Sequence, residues 1–409
     1  MLNVVILNGG RGAATLIPAL LEHQGLYVTS VVNAYDDGKS TGKIRRYFGM
    51  LGPSDIRKVQ ELMLPIDDVD YQANLYVFQY RFNDACGYES VLADLYGFSN
   101  GERQDLLGAF FVNNKVRSAL RSFIGEFLMT LRAIEQLKGE RFDFADCSLM
   151  NCIYAGAFLM FNRNMEDATL YIDKLFKLRG TVLPTSIENK VLVALRENGH
   201  MLYCEAEIVE LRSNVRIERI YLLDSQLDKS RFDLLSLDEK RYYLNRHHCY
   251  VNVSSGVKLA VQQADIIIYS SGTQHSSLYP TYMSNGLARS IADNKSAYKV
   301  FVTNIGADYE TPSYKASDYI HGAHRYLNLS DAEKYSMEDL FDVVFINKSS
   351  NKNDESYVEY DESGFADVSV HRIVDDIESS TNPGKHDGVK LVQTILDLYD
   401  STLSESGLH

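Results

Sequence analysis

The run Asp36-Asp37-Gly38-Lys39-Ser40-Thr41-Gly42-Lys43 sets two adjacent carboxylates beside two hydroxyls and two lysines. Carboxylates in such company can hold a hydrated magnesium ion while the cations hold the phosphates it bridges. The same residues also suit a solvated turn. Cationic character is reinforced nearby: Lys39, Lys43, Arg45, Arg46, Arg57 and Lys58 fall within twenty residues whose single acid is Asp55. Such a cluster suits a small phosphorylated ligand. Two other segments offer anion contacts. Asn8-Gly9-Gly10-Arg11-Gly12 supplies backbone N–H groups near the start of an expected helix. Ser270-Ser271-Gly272-Thr273 supplies hydroxyls and exposed amides, and Asn304 ends a later strand where it could hydrogen-bond a base or sugar. Read alone, the first glycine run is G-x-G-x-x-T from Gly10 to Thr15, so both the dinucleotide fingerprint and the P-loop fit poorly.

These segments need elements to position them. Leu2 to Leu7 is a compact apolar, β-branched run closed by the glycines, and Ala13 to His23 has helical composition despite Pro18. A second strand, Tyr27 to Val32, leads into Asp36-Asp37, and a helix is expected from about Pro53 to Met63. The chain therefore opens in β-α-β fashion, which predicts a parallel sheet covered by helices on both faces. Apolar strands recur at Asp265–Tyr269, Lys299–Thr303 and Asp342–Ile346. Their ends would line one edge of the sheet, placing Asp37, Ser40, Ser271, Gly272, Thr273 and Asn304 beside Gly9, Gly10 and Gly12 in one cleft.

Between these parts, residues 65–146 lose strand signals, and Val116 to Lys138 carries helical periodicity. The reading is a three-layer α/β domain built from residues 1–64 and 147–409, with a mainly helical insertion over 65–146. Cys147–Phe161 and Met165–Leu178 are expected helices. Cys204–Val209 and Arg216–Leu223 alternate like half-buried strands of a smaller antiparallel element. Residues 348–364 are polar and acidic, as a loop is, and Gly388–Tyr399 is a closing helix.

Composition narrows the function. A chain of 409 residues with 45% hydrophobic and 23% charged residues is globular in character. It has no apolar run near the roughly 18–20 residues of a membrane span, and Leu2 to Leu7 does not read as a signal peptide; a cytoplasmic location is expected. A net charge of −14 weighs against nucleic acid as a partner. The five cysteines, Cys86, Cys147, Cys152, Cys204 and Cys249, show no metal-knuckle spacing and read as buried free thiols. His247, His248 and Cys249 are adjacent, so on a strand they would point to opposite faces rather than to one metal.

The ordered motifs resemble the CofD/YvcK family, which joins 2-phospho-L-lactate transferases to gluconeogenesis factors. The family's opening G-G-G-T-G turn is similar to Asn8 through Gly12, and its D-D-G-G-S-S-G-x-x-R-R run to Asp36 through Arg46. Its G-x-L-P-P-G-D-I-R segment resembles Gly49 through Arg57. Later come R-G-x-V-L-P at Arg179–Pro184, A-D-x-I-V-x-G-P-G-S at Ala264–Thr273, Y-x-A-S-D-x-[IL] at Tyr314–Ile320, and H-D-x-x-K-L at His386–Leu391. The third loop departs, having Ser270-Ser271-Gly272-Thr273 for G-P-G-S, and Arg11 stands where the family's first turn has a small threonine.

The resemblance implies a Rossmann-like sheet binding a nucleotide diphosphate conjugate at its carboxyl edge. It implies transfer of a phospho-ester group to the hydroxyl of a small-molecule acceptor, with magnesium on Asp36 and Asp37. Lys39, Lys43 and Arg57 would join these two acids as the catalytic set. Gly9, Gly10, Gly12, Ser40, Thr41, Gly42, Asp55, Ser271, Gly272, Thr273 and Asn304 would bind the nucleotide. A non-catalytic nucleotide-sugar regulator and an NAD-dependent oxidoreductase stand as alternatives, and a homodimer is allowed.

Overall fold

A computed structural model describes residues 1–10, 12–83, 86–348 and 356–405. Arg11, and residues 349–355 of the expected polar loop, lie outside the described residues. Strands β1 (Leu2–Asn8), β2 (Leu26–Val32), β3 (Thr181–Pro184), β7 (Ile266–Tyr269), β8 (Tyr298–Val302), β9 (Val343–Asn347) and β10 (His371–Asp375) form a seven-stranded sheet. Its order is β10-β9-β8-β7-β1-β2-β3, and every adjacent pair is parallel. Burial explains the strand composition. β1, β2, β7, β8 and β9 are covered on both faces, so they read as near-continuous apolar runs such as Ile266-Ile267-Ile268.

The two edge strands, β3 and β10, are absent from the sequence reading. β3 has four residues and ends in proline, while β10 is His-Arg-Ile-Val-Asp with half-exposed side chains. Edge strands need no continuous apolar run, so their pattern is weak. The smaller sheet is antiparallel: β5 (Met201–Leu202), β4 (Val191–Arg196) and β6 (Ile217–Leu223), in that order. It carries its own small core around Val193, Met201, Tyr221 and Leu244.

Helices α1 (Leu16–Glu22), α2 (Lys39–Phe48) and α3 (Ser54–Leu62) follow the first two strands. Residues 65–146 supply α4 (Tyr71–Gln79), α5 (Tyr88–Ser99) and α6 (Asn114–Lys138), and no described strand of either sheet. Their apolar faces, including Phe78, Phe98 and Phe127, merge with the core beneath the large sheet instead of forming a separate one. Next come α7 (Leu149–Met160), α8 (Met165–Leu175) and α9 (Glu205–Glu210).

Two expectations need correction. Cys204–Val209 is not a strand but the start of α9, whose first turn carries Glu205 and Glu207, favourable to the helix dipole. Three alternating pairs are too few to outweigh that. The segment around Lys39–Gly42 is not loop but the first turn of α2, which ends at Gly49 in a left-handed conformation, φ 64°. Of the free thiols, Cys147 and Cys152 are buried, whereas Cys86 is exposed. His247 ends the helix Leu237–His247, so the His247-His248-Cys249 run is not a strand either. No helix among the described residues is long and apolar enough to cross a membrane.

Candidate functional site

The chain leaves β1 toward β2 on one side of the sheet, while β7 pairs with β1 on the other. Loops that follow β1 and β7 therefore separate and leave a crevice at the carboxyl edge. A cleft of about 700 Å³ lies there. Gly9, Gly10, Gly12, Asp36, Lys39, Ser40, Thr41, Asp55, Ser271, Gly272, Thr273 and Asn304 all line it.

Close approach explains the glycines. A Cβ on Gly12 would stand 2.4 Å from the Ser271 carbonyl oxygen, and one on Gly10 would stand 2.3 Å from Asp55 Oδ1. Both are far inside contact distance, so the β1 loop touches the β7 loop and α3 with backbone alone. Asn304 lines the cleft, but both ends of its amide are engaged: Gly272 N–H donates to Oδ1 at 2.9 Å, and Nδ2 donates to the Gly272 carbonyl at 3.0 Å. It shapes the β7 loop. Gly42 does not line the cleft; a Cβ there would meet the Asp37 carbonyl at 2.4 Å, which makes its role one of packing α2 on the acidic turn.

The catalytic set divides. Asp36 and Lys39 face the cleft, and Lys39 adopts φ 43°, unusual for a non-glycine residue. Asp37 turns aside: its Oδ1 lies 3.5 Å from Arg46. Lys43 is paired with Asp143 of the insertion. Arg57 is buried within α3, donates to the Phe78 carbonyl at 3.2 Å, and has its basicity lowered chiefly by burial. Asp37, Lys43 and Arg57 thus lie off the cleft's lining, Asp37 held by Arg46, and Lys43 and Arg57 on faces of α2 and α3 turned toward the insertion.

Several lining residues escaped the sequence reading. Lys58 lies in the basic window and pairs with Asp55 at 2.7 Å. Arg81 reaches in from the insertion, where it holds Asp146 at 3.1 Å. Glu205 starts α9 and accepts from the Asp37 N–H at 3.1 Å; misreading α9 as a strand hid it. Asp308 and Lys385 come from later loops with no motif to mark them. His386 opens the H-D-x-x-K-L segment, and its Nδ1 lies 3.3 Å from Ser271 Oγ; burial pushes its imidazole down to about 4.

Acids dominate one wall. Burial raises the Asp36 pKa, and the charge of Asp55 adds to it. Burial likewise holds Glu205 well above the usual carboxylate range, with Asp36 as the next cause. A cation placed among them would relieve that repulsion. Among the described residues no three His, Cys, Asp or Glu side chains are grouped closely enough to hold a metal unaided.

Gly38 through Gly42 also has the G-x-S-x-G spacing of a hydrolase elbow. Ser40, however, lies inside the first turn of α2, and its described hydrogen-bond partner is Asn151 Nδ2 at 3.5 Å rather than a histidine.

Facing glycine loops at a strand divergence, with an acid-rich wall opposite, define an α/β protein with a carboxyl-edge ligand cleft. The family described as 2-phospho-L-lactate transferase CofD matches residues 4–383, and the chain belongs to that family. It is 25% identical over 406 residues to the gluconeogenesis factor of Listeria monocytogenes, covering 98% of this chain and 97% of that one. It is 23% identical over 399 residues to the gluconeogenesis factor of Bacillus subtilis, covering 97% of each chain. A solved structure from Bacillus halodurans, described as a member of the UPF0052 family, superposes with a TM-score of 0.66 at 19% identity. It covers 97% of this chain and 100% of that one, and the likeness shows the shared fold.

Proposed function

We propose that the cleft binds a nucleotide diphosphate conjugate together with magnesium and serves CofD-like transfer of a phospho-ester group to an acceptor hydroxyl. The observation that carries this reading is the opposition of the Gly10–Gly12 and Ser271–Thr273 loops to the half-buried carboxylate of Asp36 and the buried one of Glu205. Backbone N–H groups of the two loops suit phosphate oxygens. Lys39, Arg81 and Lys385 offset ligand charge from three sides.

Asp36, with Asp55 or Glu205 beside it, would hold the metal. When bound, magnesium supplies charge stabilisation to the phosphoryl oxygens. Where Asp36 and Asp55 hold the metal, Glu205, whose proton affinity burial raises, is left fit to take the proton of an attacking hydroxyl. No protein nucleophile is required. Calorimetry with GDP, GTP, UDP and UDP-sugars, with and without magnesium, tests binding. Turnover of a guanylylated phospholactate or phosphoenolpyruvate donor tests transfer. Binding of NAD in place of all of these would restore the oxidoreductase reading.

A second reading, a non-catalytic nucleotide-sugar regulator, is favoured by the insertion's aromatic residues. Phe78 and Phe82 are core, Tyr80 packs edge-on to Phe82 at 5.3 Å, and Tyr76 donates to the Leu107 carbonyl at 2.8 Å. No aromatic side chain is among the described residues lining the cleft, so a flat acceptor has no stacking wall there. Tight binding without turnover of any donor would support this reading.

A further inference from the structure

Behind the β7 loop lies a buried carboxylate that has no cation in contact among the described residues. Glu310 is 2% exposed, on the loop that follows β8. Its Oε2 accepts from the N–H groups of His275 and Ser276, both at 2.9 Å, and its Oε1 lies 2.5 Å from Ser276 Oγ. From there a line of hydroxyls runs to the cleft: Ser276 Oγ to Thr273 Oγ1 at 3.0 Å, then Thr273 Oγ1 to Ser277 Oγ at 2.8 Å. Thr273, Ser276 and Ser277 all line the cleft, and Ser277 sits against Gly9 of the first glycine loop. The turn Gln274–Leu278, which carries Ser276 and Ser277 with Thr273 at its N-cap, is π-helical, a geometry frequent at functional sites.

Each hydroxyl has one hydrogen, so the direction of the line is a single choice. Ser276 cannot donate to Glu310 and to Thr273 at once. With Glu310 ionised, Ser276 donates to it, Thr273 donates to Ser276, and Ser277 donates to Thr273; lone pairs then face the cleft. With Glu310 protonated, its own hydrogen goes to Ser276 and every bond reverses. Ser277 is left with a hydrogen to donate outward.

We propose that Glu310 is a positioning residue for the cleft's anion site: it takes up a solvent proton as a phosphorylated ligand binds, and so turns the Ser276–Thr273–Ser277 hydroxyls into donors toward the phosphate oxygens. This rests on the reading of the cleft as a nucleotide diphosphate site. The charged surroundings agree. Burial, and then the charge of Asp308 on the same loop, raise the Glu310 carboxyl to about 8. His275 stays neutral, held down to about 3 by burial and by Arg325. Glu205 from α9 adds a further negative charge, and Tyr319 meets the loop through Thr311, at 3.0 Å, and through the ring of Tyr314. No cation among these groups holds Glu310 ionised.

The test is proton linkage measured by calorimetry. GDP and UDP are titrated into the full chain at pH 8 with saturating magnesium, in two buffers of different ionisation enthalpy. A group half-protonated at that pH can take up at most about half a proton. Glu310→Gln keeps the acceptor oxygen and offers N–H to Ser276, imitating the protonated state. Uptake should fall by up to about half a proton relative to wild type, and affinity should no longer weaken between pH 7 and 9. Ser276→Ala cuts the line beside an intact Glu310 and should lose the same uptake. Equal uptake in wild type and Glu310→Gln would overturn the inference while leaving the cleft reading in place. Failure of wild type to bind either nucleotide would overturn the cleft reading itself, and this inference with it.

Discussion

Asn304 and Gly272 are joined by two hydrogen bonds, one in each direction between side-chain amide and backbone. The loop after β7 is thereby tied to the end of β8. Replacing Asn304 by Ala removes both bonds and leaves the Gly272 N–H and carbonyl without that partner. A loss of about 1–3 kcal/mol in denaturant unfolding is expected, together with about tenfold or more weaker nucleotide binding. Asn304→Asp keeps the acceptor for the Gly272 N–H but sets a carboxylate oxygen against the Gly272 carbonyl and adds negative charge to the cleft, so its affinity should be no better than that of Asn304→Ala. Wild-type affinity in Asn304→Ala would show that the β7 loop does not contact the ligand.

Gly12→Ala places a methyl group 2.4 Å from the Ser271 carbonyl. The β1 and β7 loops must part, so at least a tenfold loss of GDP or UDP affinity is expected, with circular dichroism unchanged. Unaltered binding would move the phosphate site away from this contact.

Asp36→Asn removes one charge from a wall that raises its own proton affinity. Magnesium-dependent binding should drop at least tenfold, and metal-free binding should hold or improve as repulsion of the diphosphate falls. Equal losses with and without magnesium would argue against Asp36 as a metal ligand.

Lys43→Ala breaks a half-exposed pair with Asp143, outside the cleft lining. Such pairs contribute about 0–1 kcal/mol. Unfolding free energy should shift by no more than that, and affinity by no more than about threefold. A large loss of affinity would place Lys43 in the site after all.

Stability should rise as the pH falls from about 8.5 to 6.5. Burial raises Glu310 to about 8 and Asp173 to about 7, so between the unfolded and folded values the native chain binds more protons. Stability therefore rises as pH falls from 8.5 to 6.5, by roughly 1.4 kcal/mol per pH unit for each group titrating. Below 6.5 the sign reverses for three buried histidines. His248 and His386 are pushed down to about 4 and His275 to about 3, and each loses stability as pH drops through the unfolded value. Thermal unfolding across pH 6.5–9 measures the rise, and Glu310→Gln should flatten it. A midpoint that climbs steadily to pH 9 would contradict the assignment.

The sequence by itself determined the buried strands of the parallel sheet and the segments that meet at its carboxyl edge. β1 and β7 are covered on both faces, so burial alone forces apolar runs that stand out in any reading, and glycines mark the turns after β1 and β7. Nothing in local pattern marks β3, which is only four residues long and ends in proline, or β10, whose half-exposed edge asks for no such run. Tertiary structure alone decided which side chains enter the cleft. Asp36 and Asp37 are adjacent, yet one faces the ligand space and the other turns to Arg46, because backbone direction at the start of α2 points them apart. Lys43 and Arg57 were drawn to partners in the insertion, Asp143 and the Phe78 carbonyl, which lie far away in sequence. Glu205, Asp308, Lys385 and Glu310 joined the site or its backing from segments whose local pattern says nothing of chemistry. Periodicity reports what is buried against a neighbour in the same element. It carries no record of which distant loops the fold brings to one edge.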